Sequence, residues 1–146
     1  MTPKTVTKPP TLDTNLLLRL ALGDVPAQYE AVRNLITVPG ARHRITDLAI
    51  VEAVHTLTHH YGLSRIQVVE IIRAIITDPS LEANAVLLES VCRCFVAHPS
   101  LSFTDCYLAE DADASGHQPL LTFDRKLAHQ HPAARLVPTV SQTHSP

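Results

Sequence analysis

Amphipathic runs with apolar residues at three- and four-residue spacing recur along this chain, and only short apolar segments separate them. That alternation restricts the fold more than any other feature. Short strands joined by longer helices form parallel β-α-β units, whose sheet must be covered on both faces. The spacing predicts helices over 15–22, 26–37, 47–61, 64–76, 85–97, 102–114 and 124–130. Strands are expected over 11–13, 44–46, 81–83, 119–123 and 136–137, the clearest being the apolar run from Pro119 to Phe123. Punctuation agrees: Gly23, Gly62 and Gly116 follow helical runs, Pro39-Gly40 and Pro99 break the chain, and Ser64-x-x-Gln67 has capping-box spacing. Expected inward sets are Ile50, Val54, Leu57 and Tyr61, then Val68, Ile72 and Ile75, then Val86, Leu87, Val91 and Cys94.

With 146 residues and 45% apolar side chains, the chain suits one core. Residues 1–9 read as a loose arm, 10–138 as the folded domain and 139–146 as a polar tail. The start carries no apolar run of signal-peptide type, and nowhere is there the run of ~20 apolar residues that a membrane helix needs. Charges nearly balance, with 12 Lys plus Arg against 14 Asp plus Glu, which argues against a tail-driven polycation binder. Cys92, Cys94 and Cys106 form neither a disulfide framework nor a four-ligand zinc spacing, so they read as small core hydrophobes in a reducing, cytoplasmic setting. His55 and His59 share a helix face without the Glu of H-E-x-x-H, which suits a rim or a dimer contact. His60, His129 and His131 have no partner pattern. A serine-nucleophile motif of the G-x-S-x-G kind is absent from the sequence.

Four carboxylates fall where α/β proteins place their sites, at strand ends and early helix turns. Asp13 and Asp124 follow expected strands, Asp105 lies in a first helical turn, and Glu52 is one turn inside its helix. Local roles fit them equally. Asp13 and Asp124 suit helix caps, Asp105 suits the third position of a Ser102 capping box, and Glu52 suits a solvated face. Glu52 differs in its neighbours, since Ile50, Val51, Ala53 and Val54 surround it and a buried carboxylate there needs a partner.

The blocks carrying these acids resemble, in order, those of PIN-domain nucleases. They are Leu12-Asp13-Thr14-Asn15-Leu16-Leu17, Glu52 at the end of Ile45-Thr46-Asp47-Leu48-Ala49-Ile50-Val51-Glu52, Phe103-Thr104-Asp105-Cys106-Tyr107-Leu108-Ala109, and Leu121-Thr122-Phe123-Asp124-Arg125-Lys126-Leu127. Gly23-Asp24 and Tyr61-Gly62-Leu63-Ser64-Arg65 also fit, and the similarity extends over residues 10–138. It is strongest toward the small ribonuclease toxins of the VapBC toxin–antitoxin type. Two departures stand out: Ser102 where many relatives carry a further acid, and Lys8-Pro9-Pro10 in place of the usual apolar first strand.

The resemblance implies a three-layer α/β/α sandwich around a short, mostly parallel sheet. It also implies Mg²⁺- or Mn²⁺-dependent hydrolysis of RNA to a 5′-phosphate and a 3′-hydroxyl. Asp13 and Asp105 would be the main metal ligands, Asp124 a ligand or an outer-sphere acid, and Glu52 would hold a metal-bound water. Thr14, Asn15 and Thr122 would orient these groups. Hard divalent ions take oxygen ligands and reverse the repulsion among clustered acids. Without the four acids, the remaining charged side chains are 12 basic and 10 acidic, leaving Arg19, Arg42, Arg44, Arg125 and Lys126 as candidates for RNA phosphates. Expected partners are a cognate antitoxin that lays a segment in an apolar groove, and a second copy of the chain. The dimer expectation also rests on the helix over 64–76, where Ile66, Val69, Ile71 and Ile76 exceed one buried stripe. Two other readings stand beside the nuclease. One is a non-catalytic PIN-like module that binds RNA or protein. The other is a carboxylate phosphatase, which Asp13-Thr14-Asn15 serves less well because it lacks a second Asp.

Overall fold

The computed structural model describes residues 7–140. Most of the expected arm and tail therefore lies outside the described residues; 7–10 and 137–140 carry no regular structure. The fold is mixed α/β, predominantly helical, with short parallel strands. In order it comprises α1 (Thr14–Leu22), α2 (Pro26–Ile36), β1 (His43–Arg44), α3 (Asp47–His59), α4 (Arg65–Thr77), β2 (Leu81–Glu82), α5 (Ala85–Ala97), α6 (Phe103–Ala114), β3 (Leu120–Thr122), α7 (Arg125–Gln130) and β4 (Ala134–Leu136).

Local chemistry sets the helix ends. Asp13, Thr46, Ser64, Ser102 and Asp124 each cap a helix through a side-chain oxygen that accepts a backbone N–H. Ser64 and Gln67 complete a reciprocal capping box. At the end of α1, Gly23 turns to φ 60°, a conformation open to glycine, and its N–H reaches the Arg19 carbonyl. The core is mostly helical: α5 packs against α4 and α6, and α1 packs against α2 and α3. Between α5 and α6 the rings of Phe95 and Phe103 meet edge to face at 5.4 Å. Arg65 ties α4 to α5 by donating to the Phe95 carbonyl at 2.8 Å.

The strands depart from expectation in several ways. The first strand reduces to a single parallel bridge between Thr11 and Arg44, because Pro9 and Pro10 have no N–H to extend it. Leu12 N still donates to the Arg44 carbonyl, and Arg44 N to that of Pro10. Secondly, the strands form two separate pairs, β1 with β2 and β3 with β4, both parallel. Lastly, the Pro119–Phe123 run is not buried: Leu121 and Phe123 are 62% and 70% exposed. The last strand lies at 134–136 instead of 136–137.

The buried helix faces also differ from the expected sets. Val86 is exposed, and the buried stripe of α5 runs instead through Leu87, Leu88, Val91, Cys92, Cys94 and Phe95. Tyr61 is half-buried beyond the end of α3. In α4, Val69 joins Val68, Ile72 and Ile75 in the core, Ile71 and Ile76 are half-buried, and only Ile66 of the surplus set is exposed. The apolar excess that pointed to a dimer is therefore largely absorbed within the chain.

Candidate functional site

Where β1 leads into α3 and residues 11–13 lead into α1, an open cleft of about 690 Å³ forms between the two helices. Asp13, Thr14 and Asn15 from the start of α1 line it, as do Glu52 and His55 from α3 and Thr104 from α6. The Asp13 carboxylate accepts from Leu16 N at 3.2 Å, so it caps α1 while remaining exposed. Thr14 Oγ1 donates to Glu52 Oε2 at 2.7 Å, which joins two residues 38 apart in sequence. Glu52 is exposed, contrary to the expectation drawn from its apolar neighbours. Adjacent helical residues point about 100° apart, so Ala53 and Val54 are buried while Glu52 faces α1. The anticipated partner exists nonetheless, as a hydroxyl. The His55 and His59 rings meet tilted by 46° with centroids 4.5 Å apart, and His55 is on the cleft's rim.

The other two acids occupy different positions. Asp105 is half-buried beside Thr104. Its backbone N–H goes to Ser102 Oγ, but its carboxylate returns no bond, so the capping box is only half formed. Asp124 begins α7 and accepts from Lys126 N at 2.8 Å and Leu127 N at 3.2 Å. Thr122 Oγ1 accepts from Asp124 N at 3.0 Å, a contact to the backbone of that residue and not to its carboxylate. Asn15 lines the cleft without a side-chain hydrogen bond among the described residues.

The basic candidates do not converge on the acids. Arg19 is tied by Nη1 to both Asp24 oxygens and by Nη2 to the Tyr61 hydroxyl, and these contacts hold its pKa above the ordinary value. Arg42 pairs with Glu82 at 3.0 Å. Arg44 lines another open cleft together with Thr46, Asp47 and Glu82. Arg125 and Lys126 border a separate surface, which also holds His129 and Arg135. Arg19 and Arg42 are therefore committed to internal ion pairs, and the five residues do not form a single groove.

One group of three potential metal ligands is compact among the described residues. Atoms of Cys94, Glu110 and His131 all lie within 4.8 Å of one another, and they are placed to hold a metal ion. Asp13, Asp105 and Asp124 do not gather in this way. His131 is buried, with Nε2 at 3.1 Å from Glu110 Oε1 and Nδ1 accepting from Ala133 N at 3.0 Å. This corrects the view of His131 as partnerless. The interaction with Cys106 holds the Cys94 thiol below its ordinary pKa, and the same interaction together with burial pushes Cys106 upward. The sequence carried no signal for this cluster, since its members are far apart and each has an ordinary local explanation.

No protein-family model matches this chain, and no curated protein matches it.

Proposed function

We propose that this chain is a divalent-metal-dependent endoribonuclease of PIN-like three-layer architecture, acting in the cytoplasm as the toxin of a toxin–antitoxin pair. One observation carries the reading: Asp13 and Glu52, far apart in sequence, line one open cleft together with Thr104, the neighbour of Asp105. The donor chemistry suits Mg²⁺ or Mn²⁺, because exposed or half-buried carboxylate oxygens are hard ligands. Asp13, Asp105 and Asp124 would hold the ion, with waters completing its shell because the three carboxylates are not gathered within direct contact of one another. When bound, the metal supplies positive charge against the phosphoryl group and favours ionisation of water.

The chain's own groups perform the remaining tasks. Thr14 fixes Glu52 through Oε2, leaving Oε1 to orient a water or accept its proton. Thr122 and the α7 backbone hold Asp124 in one position. Arg44, Arg125 and Lys126 are the basic candidates that remain for RNA phosphates. An apolar groove of about 410 Å³ among Leu20, Tyr29, Ile36, Ile71 and Ile75 suits the antitoxin segment, and co-expression of an antitoxin should restore growth. Light scattering at micromolar concentration tests the homodimer against a 16.0 kDa species.

The deciding experiment is RNA cleavage with Mg²⁺ or Mn²⁺, with and without excess chelator. Loss of even an outer partner of a metal ligand costs roughly 10–100-fold, so Asp105→Ala should lose at least about 100-fold. Cleavage that survives chelator, or that is undiminished in Asp105→Ala, would refute the mechanism. The cap roles of Asp13 and Asp124 favour a second reading, a PIN-like module that binds RNA or protein without cleaving. RNA retention with no metal-dependent cleavage would select it.

A further inference from the structure

We propose that Cys94, Glu110 and His131 form a Zn²⁺ site, independent of the carboxylate cleft, that fastens the segment after α7 to the α5–α6 pair. Three elements supply the ligands: Cys94 comes from α5, Glu110 from α6, and His131 caps the end of α7. Cys94 and His131 are each 6% exposed, and the Glu110 side chain is 21% exposed.

A sulfur, an imidazole nitrogen and one carboxylate oxygen make a borderline donor set that suits Zn²⁺ and not Mg²⁺. In a tetrahedral zinc site, ligand atoms about 2.0–2.3 Å from the metal stand roughly 3.3–3.7 Å from one another. Here all three already lie within 4.8 Å, and the His131 to Glu110 separation is 3.1 Å. Small side-chain adjustments separate this arrangement from ligation. A thiolate and a carboxylate also balance the two charges of the ion, so the assembled site can be buried without net charge.

The hydrogen bonds around His131 make the proposal specific. Ala133 N–H donates to Nδ1, so in the metal-free protein the ring proton is on Nε2 and points to Glu110. Zn²⁺ takes the place of that proton between the two residues; the ring proton passes through solvent to Nδ1, and the Cys94 thiol proton is released to solvent. A neutral ring bound through Nε2 carries its proton on Nδ1, where the Ala133 N–H now donates. Metal binding therefore breaks this hydrogen bond, and the Ala133 amide becomes a reporter separate from the ligands.

The test titrates Co²⁺, then competing Zn²⁺, into the metal-free full chain. The expected result is a sulfur-to-cobalt charge-transfer band that saturates at one equivalent, bleaches with Zn²⁺ and is absent in Cys94→Ser. Glu110→Gln should weaken binding by roughly 10–100-fold or more. Asp13→Asn should leave the titration unchanged, which keeps this site distinct from the nuclease reading. Should Cys94→Ser fail to fold, the Ala133 amide resonance of the unaltered chain decides, moving with Zn²⁺ and staying still with Mg²⁺. No charge-transfer band in folded protein, a band undiminished in folded Cys94→Ser, or an Ala133 amide indifferent to Zn²⁺ would each overturn the site.

Discussion

The two parallel strand pairs have similar backbones and different surroundings. In β1–β2, His43 and Leu81 are buried, Thr11 adds a bridge, and Ile45 and Leu12 enter the core on either side. In β3–β4, Leu121, Phe123 and Leu136 are exposed, and between Leu120 and Leu136 only Leu127, His131 and Ala133 are buried. Strand hydrogen bonds alone do not make a core element; helices covering the strand do. The carboxylates divide along the same line. Asp13 and Glu52 belong to the helix-wrapped body, whereas Asp124 belongs to the exposed unit, so any site uniting them depends on how firmly that unit is held.

The largest effect expected from this contrast is in the core. Ile50, fully buried on α3, should cost about 2–5 kcal/mol when replaced by alanine. Leu121→Ser on β3 should stay within about 0.5 kcal/mol, as at ordinary surface positions. Denaturant unfolding of both variants measures the difference. A Leu121→Ser loss rivalling that of Ile50→Ala would mean that β3 is covered, by another copy or otherwise, and the comparison would fail.

Helix caps provide a second, smaller comparison. Asp13→Ala and Asp124→Ala should each destabilise by about 1 kcal/mol, and asparagine at either position should restore most of it. Amide exchange should show the Asp124→Ala loss confined to the short α7, while the Asp13→Ala loss spreads into the body. Metal separates capping from ligation. At a hundred times its dissociation constant, Mn²⁺ should stabilise the unaltered chain by about 2.7 kcal/mol and Asp13→Asn by much less. Equal gains in both would leave Asp13 as a cap alone.

The helices were legible because their signals are local: apolar spacing, Ser64 with Gln67, Gly23, and the oxygen caps all act within a few residues. The pairing of the strands was not, because whether Leu120–Thr122 is covered depends on elements elsewhere in the chain. An apolar run therefore read as buried where the structure exposes it. At the candidate site, the places of Asp13, Glu52, Asp105 and Asp124 along the chain could be read from the sequence, whereas the bond from Thr14 to Glu52 is seen only in the structure. Which of these acids share a cleft could not be read, since side-chain direction decides it: Glu52 turns from its buried neighbours toward Thr14, and Arg19 turns to Asp24. Cys94, Glu110 and His131 show the same limit more strongly, because only the packing of α5 on α6 brings them together.

Within the helical body, pH provides a gentler probe. Burial pushes the Cys92 thiol up to about 11, above its value of about 8.5 in an unfolded chain. A folded-state pKa above the unfolded one means that this contribution is intact below about pH 8.5 and is lost as pH rises toward 11. Cys92→Ala should start less stable, because it leaves a cavity, and should then lose less between those pH values. Parallel stability curves for the two proteins would show that the thiol does not titrate on unfolding.

The smallest expected effect concerns a pair that joins α4 to α5 at the surface. Arg73 Nη2 lies 2.9 Å from Glu89 Oε1 and Arg73 Nε lies 3.1 Å from Oε2, a two-pronged contact that holds the Glu89 carboxyl below its usual range. Because the folded value is depressed, the pair contributes above the unfolded pKa of about 4.3, and its contribution is lost as pH falls through the lower folded value. Both side chains are more than a third exposed, so water and salt screen the pair and its share of stability is slight. A double-mutant cycle with Arg73→Gln and Glu89→Gln should detect a small coupling in the melting temperature at neutral pH. That coupling should fade in acid, and also in about 1 M salt, where the screening length is ~3 Å. Coupling that persists unchanged in acid and salt would show that α4 and α5 are joined there by packing and not by charge. That outcome would sharpen the contrast between the packed body and the exposed β3–β4 unit.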